Sequence, residues 1–159
     1  MFSKRKKLGK TLKELQEGSS VSKEFDIKDK DILLYLGFSD DANPIYIQHD
    51  YASRTPYERP IVPQLMLMGF VTSLISTGLP GPGSVIREQQ LAFPKPLYHY
   101  GKLKLTLTVE KLNREKGTAL MTVDGRDEYD DSIILGTIDV TPPYPWKPMT
   151  EQAGTFENF

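Results

Sequence analysis

Residues 61–83 read IVPQLMLMGFVTSLISTGLPGPG and contain no charged side chain. Apolar residues fall on almost every side of a helix drawn through 65–79, which predicts a central helix enclosed on all sides. Pro60 and Pro63 suit the approach and first turn, where a missing N–H costs nothing. Gly78, Pro80, Gly81, Pro82 and Gly83 stop the helix. A membrane span needs about twenty apolar residues in a row. Gln64, Thr72, Ser73, Ser76 and Thr77 interrupt this run, so the stretch reads as the core helix of a water-soluble domain.

On either side of it the period changes from helix to strand. Residues 20–27 alternate Val21, Phe25 and Ile27 with polar neighbours, as a first strand does. Residues 29–36 place Ile32, Leu33, Tyr35 and Leu36 at helical spacing behind acidic residues, with Gly37 as the expected stop. Residues 38–45, FSDDANPI, are turn chemistry, 49–54 suit one more helical turn, and 55–60 form a polar loop. Beyond the central helix, residues 84–93, 102–112, 118–129 and 132–141 each read as a strand. The alternation is cleanest at Leu103, Leu105, Leu107 and Val109. The links at 113–117 and 130–131 are short enough for hairpins, so the strands are expected to form an antiparallel meander. One sheet around one helix makes the chain α+β.

The size and charge balance fit one domain: 159 residues, 38% hydrophobic, 26% charged, net charge −1. With so little net charge there is no general attraction to nucleic acid or to an anionic membrane. The absence of cysteine excludes disulfides, thiol nucleophiles and thiolate metal sites, and suits the cytoplasm. Residues 1–19 read as a basic, solvated N-terminal arm, since polar TLKELQEGSS stands where a signal peptide has its apolar core. Residues 20–141 read as the single domain. Residues 142–159 read as a Pro-rich tail, either loose or packed on the surface by Trp146.

Residues 37–52, GFSDDANPIYIQHDYA, followed by RPIVPQLMLMGFVTSLISTGLPGPG, resemble the MaoC-like hot-dog family of (R)-specific enoyl-CoA hydratases and dehydratases over most of the chain. The family pattern runs Ser-Gly-Asp-x-Asn-Pro-Leu/Ile-His, then an Ala a few residues on, then Ile-Val-His-Gly-Met at the start of the central helix. Ser39, Asp41, Asn43, Pro44, Ile45 and Ala52 match it, and the spacing to LPGPG matches without a gap. The resemblance implies the hot-dog fold, an antiparallel sheet wrapped around one long helix. It also implies a homodimer whose two sheets join edge to edge, because the final strands would otherwise leave unpaired edges.

The implied chemistry is hydration of a trans-2-enoyl-CoA or other acyl thioester, or the reverse, without a cofactor. Asp41 takes a proton from water, a second group delivers one, and an N–H at the helix start receives the charge on the thioester oxygen. Tyr46 stands where the pattern has His, Asp40 where it has Gly, and Pro63-Gln64 where it has His-Gly. The candidate catalytic residues are therefore Asp41 and Tyr46, with Asn43, Pro63, Gln64 and Leu65 placed at the substrate. A phenol with an ordinary pKa near 10 donates a hydrogen bond but shuttles protons poorly at neutral pH. Weak hydratase activity is expected, with a non-catalytic acyl-CoA-binding subunit and a purely structural chain as the other classes.

His49 lies three residues past the motif position, as an exposed helical residue, and His99 reads as a loop or edge residue. No metal is expected, because Asp40, Asp41, His49 and Asp50 have none of the usual ligand spacings. Gly81-Pro82-Gly83 follows a helix and so cradles no phosphate.

Overall fold

The computed structural model describes residues 7–146. The order of elements is β1 (Ser20–Asp26), α1 (Asp29–Ser39), α2 (Pro44–Ile47), α3 (His49–Ala52), α4 (Gln64–Thr77), β2 (Val85–Ala92), β3 (Lys102–Asn113), β4 (Thr118–Arg126) and β5 (Ser132–Thr141). The strands form one antiparallel sheet of five, in the order β1-β3-β4-β5-β2. The expected meander holds for β3, β4 and β5 only. The last strand is interior, paired with β4 on one side and β2 on the other, so the sheet edges belong to β1 and β2 and not to the final strands.

The alternation along β3 sends Leu103, Leu105, Leu107 and Val109 to one face, where they meet Ala119, Met121 and Val123 of β4 and Ile134, Ile138 and Val140 of β5. Leu67, Val71, Leu74 and Ile75 of α4 join the same core. Their i, i+4, i+7, i+8 spacing is one stripe of a helix. The opposite stripe is open: Leu65 is 47% exposed, and Gly69, Thr72 and Ser76 are exposed with it. The expectation of enclosure on all sides therefore fails for the isolated chain, because one sheet covers only one face of a helix.

Other boundaries move for local reasons. Gly37 does not end α1, since Asp40 takes the left-handed conformation (φ 57°) and its N–H closes onto the Leu36 carbonyl. Asp tolerates that conformation better than most residues. The stretch read as a turn over 38–45 is thus shared between the end of α1 and the start of α2. The helix α2 begins at Pro44, capped by the Asn43 side chain, which accepts the Ile45 N–H at 3.2 Å. Strand β4 stops at Arg126 instead of running to 129, because the Asp127 carboxylate accepts the N–H groups of both Tyr129 and Asp131 and bends the chain.

Residues 9–19 are not a solvated arm. Leu15 is 3% exposed inside the core, and the Gly9 and Lys10 N–H groups donate to the Pro82 and Pro80 carbonyls at 2.9 and 2.8 Å. Residues 1–6 of the expected arm and 147–159 of the expected tail lie outside the described residues. Where the tail is described, Pro142 and Pro143 are buried and Trp146 is 67% exposed, so the prolines hold it to the domain and the indole does not. Among the described residues, no helix is long and apolar enough to cross a membrane.

Candidate active site

The last turn of α1 builds the acid end of the site. After Asp40 reverses the chain, Asp41 folds back onto the helix it has just left. Its N–H donates to Ser39 Oγ at 3.2 Å, and Ser39 Oγ donates in turn to the Tyr35 carbonyl at 2.7 Å. The Tyr35 hydroxyl donates to Asp41 Oδ2 at 2.6 Å, while Asn43 N–H reaches Asp41 Oδ1 at 3.4 Å. At 2.6 Å the phenol-to-carboxylate contact has the length of a charge-assisted bond.

The second half of the site joins α2 to the start of α4. The Tyr46 hydroxyl donates to Gln64 Oε1 at 2.9 Å, and the Tyr46 ring stands edge-on to the Tyr35 ring, centroids 6.4 Å apart at 85°. Tyr46 and Gln64 are two of the positions where the chain departs from the family pattern, and here they bond to each other. Burial, reinforced by the Asp41 charge, holds the Tyr46 phenol above its ordinary pKa. Burial and the hydrogen bond to Asp41 do the same to Tyr35, with Ser39 acting in the other direction. Both hydroxyls therefore keep their protons at neutral pH and serve as donors.

Gln64 is the first residue of α4, and Pro63 is its N-cap. The Pro63 carbonyl accepts from Met66 and Leu67, but among the described residues the Gln64 N–H has no hydrogen-bond acceptor. An unpaired N–H at a helix start is the kind of donor an oxyanion needs. Gln64 lines a cavity of about 100 Å³ together with Tyr57, Ile61, Leu67, Phe93 and Leu97, and neither Asp41 nor Tyr46 is among its lining residues.

The structure thus brings Asp41, Tyr46 and Gln64 into one neighbourhood and gives the other candidates different places. The Asn43 side chain is committed to capping α2. Pro63 is buried and sets the helix start, and Leu65 points outward. Tyr35 was missed because its position fits the apolar stripe of α1. The available signal was that a buried tyrosine needs a partner for its hydroxyl. His49 is exposed at the start of α3. His99 sits in the link between β2 and β3, half-buried, and burial pushes its imidazole pKa down. Among the described residues, no group of three or more histidines and carboxylates is placed to hold a metal ion.

The sequence model of the MaoC like domain matches residues 10–130. An (R)-specific enoyl-CoA hydratase from Rhodospirillum rubrum is 35% identical over 103 residues, 65% of this chain and 72% of that protein. Among solved structures, an (R)-hydratase from Aeromonas caviae involved in PHA biosynthesis superposes with a TM-score of 0.78 at 25% identity, covering 81% of this chain and 98% of the other. An R-hydratase from Pseudomonas aeruginosa in its unliganded form gives 0.79 at 23% identity, covering 88% and 95%. Matched along most of its length by the domain model and carrying its five-stranded sheet against α4 as a hot-dog fold, the chain belongs to the MaoC-like domain family.

Proposed function

We propose that the chain binds short acyl thioesters at the start of α4 and is a degenerate hydratase, interconverting trans-2-enoyl and 3-hydroxyacyl forms slowly or not at all. The observation that carries this reading is the 2.9 Å bond between Tyr46 and Gln64. Asp41 remains as a base, and the unpaired Gln64 N–H remains as a donor for the thioester oxygen. The group at position 46, however, is a neutral phenol already engaged by a carboxamide. Loss of one general acid–base partner costs about 10² to 10⁴ in rate. The second reading, a non-catalytic acyl-CoA-binding subunit, is favoured by Tyr35 holding Asp41 Oδ2 at 2.6 Å, since that oxygen is then taken.

The protein itself is a homodimer in this proposal. Its two sheets meet along β1 or β2, the strands with a free edge, and the open stripe of α4 at Leu65 and Gly69 is available to the second copy. One set of measurements on the native protein tests these statements. Calorimetry with butyryl-CoA is expected to show binding, hydration of trans-2-butenoyl-CoA to be near background, and sedimentation at micromolar concentration to give a dimer. No butyryl-CoA binding removes the acyl-thioester reading. Fast hydration abolished by Asp41→Asn removes the degenerate one, and a monomer removes the dimer.

A further inference from the structure

We propose that Tyr35 is a positioning residue for Asp41, fixing one carboxylate oxygen so that the other is presented to the 3-hydroxyl of a hydroxyacyl thioester. The proposal rests on the acyl-thioester reading above and adds which form of the ligand the site prefers.

Tyr35 is 8% exposed, and its hydroxyl reaches Asp41 across six residues of chain. That contact depends on a specific local device. The left-handed Asp40 turns the chain, and Ser39 Oγ links the Tyr35 carbonyl to the Asp41 N–H, which fixes the separation of the two side chains from the backbone side. The Tyr46 ring also stands edge-on to the Tyr35 ring. Asp41 Oδ2 is consequently occupied by a short bond. Oδ1 has only the Asn43 N–H at 3.4 Å, the long limit of a hydrogen bond, and keeps its capacity as an acceptor.

A carboxylate oxygen held in this way is complementary to a hydroxyl, which brings a proton. A saturated acyl chain brings nothing to that position. Sites that hydrogen-bond a ligand hydroxyl discriminate against the analogue lacking it, because the polar group is otherwise left unpaired. With Tyr35 and Tyr46 both fixed as donors, Asp41 is the acceptor of the cluster, so the hydroxylated ligand is the one that completes it.

The test is the ratio of affinities for (R)-3-hydroxybutyryl-CoA and butyryl-CoA, measured by calorimetry. It needs no turnover. In the native protein the hydroxylated ligand is expected to bind about tenfold tighter or more. Tyr35→Phe keeps the ring and removes the bond, and should bring the ratio to about twofold or less, because only the hydroxylated ligand loses a contact. Asp41→Asn should do the same, and the double variant should lose nothing further, as expected of two groups acting as one unit. Ser39→Ala leaves the phenol in place and should lower the ratio by a smaller factor, which gives a second readout if Tyr35→Phe folds poorly. A native ratio near one overturns the proposal. So does a ratio that survives Tyr35→Phe but not Asp41→Asn. If neither ligand binds the native protein, the acyl-thioester reading falls and this proposal falls with it.

Discussion

The double variant Tyr46→His, Gln64→Gly is expected to hydrate trans-2-butenoyl-CoA about 10² to 10⁴ times faster than the native chain, the contribution of one positioned acid–base group. An imidazole has an ordinary pKa near 6.5 and exchanges protons at neutral pH, whereas burial and the Asp41 charge hold the Tyr46 phenol above its already high value. The second substitution is needed because of the observed geometry. Gln64 Oε1 accepts the Tyr46 hydroxyl at 2.9 Å, and the same carboxamide would accept an imidazole N–H and hold the ring away from Asp41. Tyr46→His alone should therefore gain less than the pair. Asp41→Asn added to the double variant should remove the gain. Steady-state hydration kinetics decide the matter: a double variant that binds butyryl-CoA but turns over no faster than the native chain would falsify the claim that the frame of a hydratase site is intact.

Gly136→Ala is expected to lower stability by about 3 kcal/mol or more, from a strained backbone region and a forced separation of strands. In a chain of this size that is a fall in Tm of about 10 °C. Gly136 lies in β5 opposite Leu91 of β2, with φ at +151°, a conformation that side-chain-bearing residues rarely adopt. A Cβ there would land on the Gln90 carbonyl oxygen and within 3.0 Å of Leu91 Cα, so β2 would have to move off its neighbour. Gly37→Ala is the contrasting case. Gly37 sits inside α1 with nothing within 4 Å of the position a methyl group would take, and alanine there should add about 0.5–1 kcal/mol of stability. Thermal melts of the two variants should move in opposite directions. A Gly136→Ala midpoint within about 2 °C of native, well short of the shift expected for a chain of this size, would mean that β2 is not held by this close approach.

Sheet and helix were readable because their signals are local. Leu103, Leu105, Leu107 and Val109 alternate at period two whatever they pack against, and the absence of charge over residues 61–83 needs no partner to be noticed. What escaped depends on distant or three-dimensional facts. The placement of β5 between β4 and β2 is a choice among pairings that periodicity does not make. The open face at Leu65 and Gly69 appears only once one knows how much of α4 a single sheet can cover. At the site, Asp41, Tyr46 and Gln64 came from a resemblance to a motif. Tyr35 belongs to no motif and emerges only because Asp40 turns the chain back. Asn43 matched the pattern, yet its side chain caps a helix, so a matched residue can serve the scaffold.

The interior position of β5 also sets an order of events. β2 leaves the ribosome long before the strand it pairs with, and no other strand can take its hydrogen bonds in the finished sheet. Until residue 141 is free, Leu67, Val71, Leu74 and Ile75 belong to a helix whose covering is incomplete. Pairings this distant in sequence are slow to form, because the intervening loop must be closed before any contact offsets its entropy. The chain therefore cannot finish folding piece by piece from its N-terminus. Its most apolar segment stays incompletely covered from the time α4 is made until β5 follows, and the sheet is completed late.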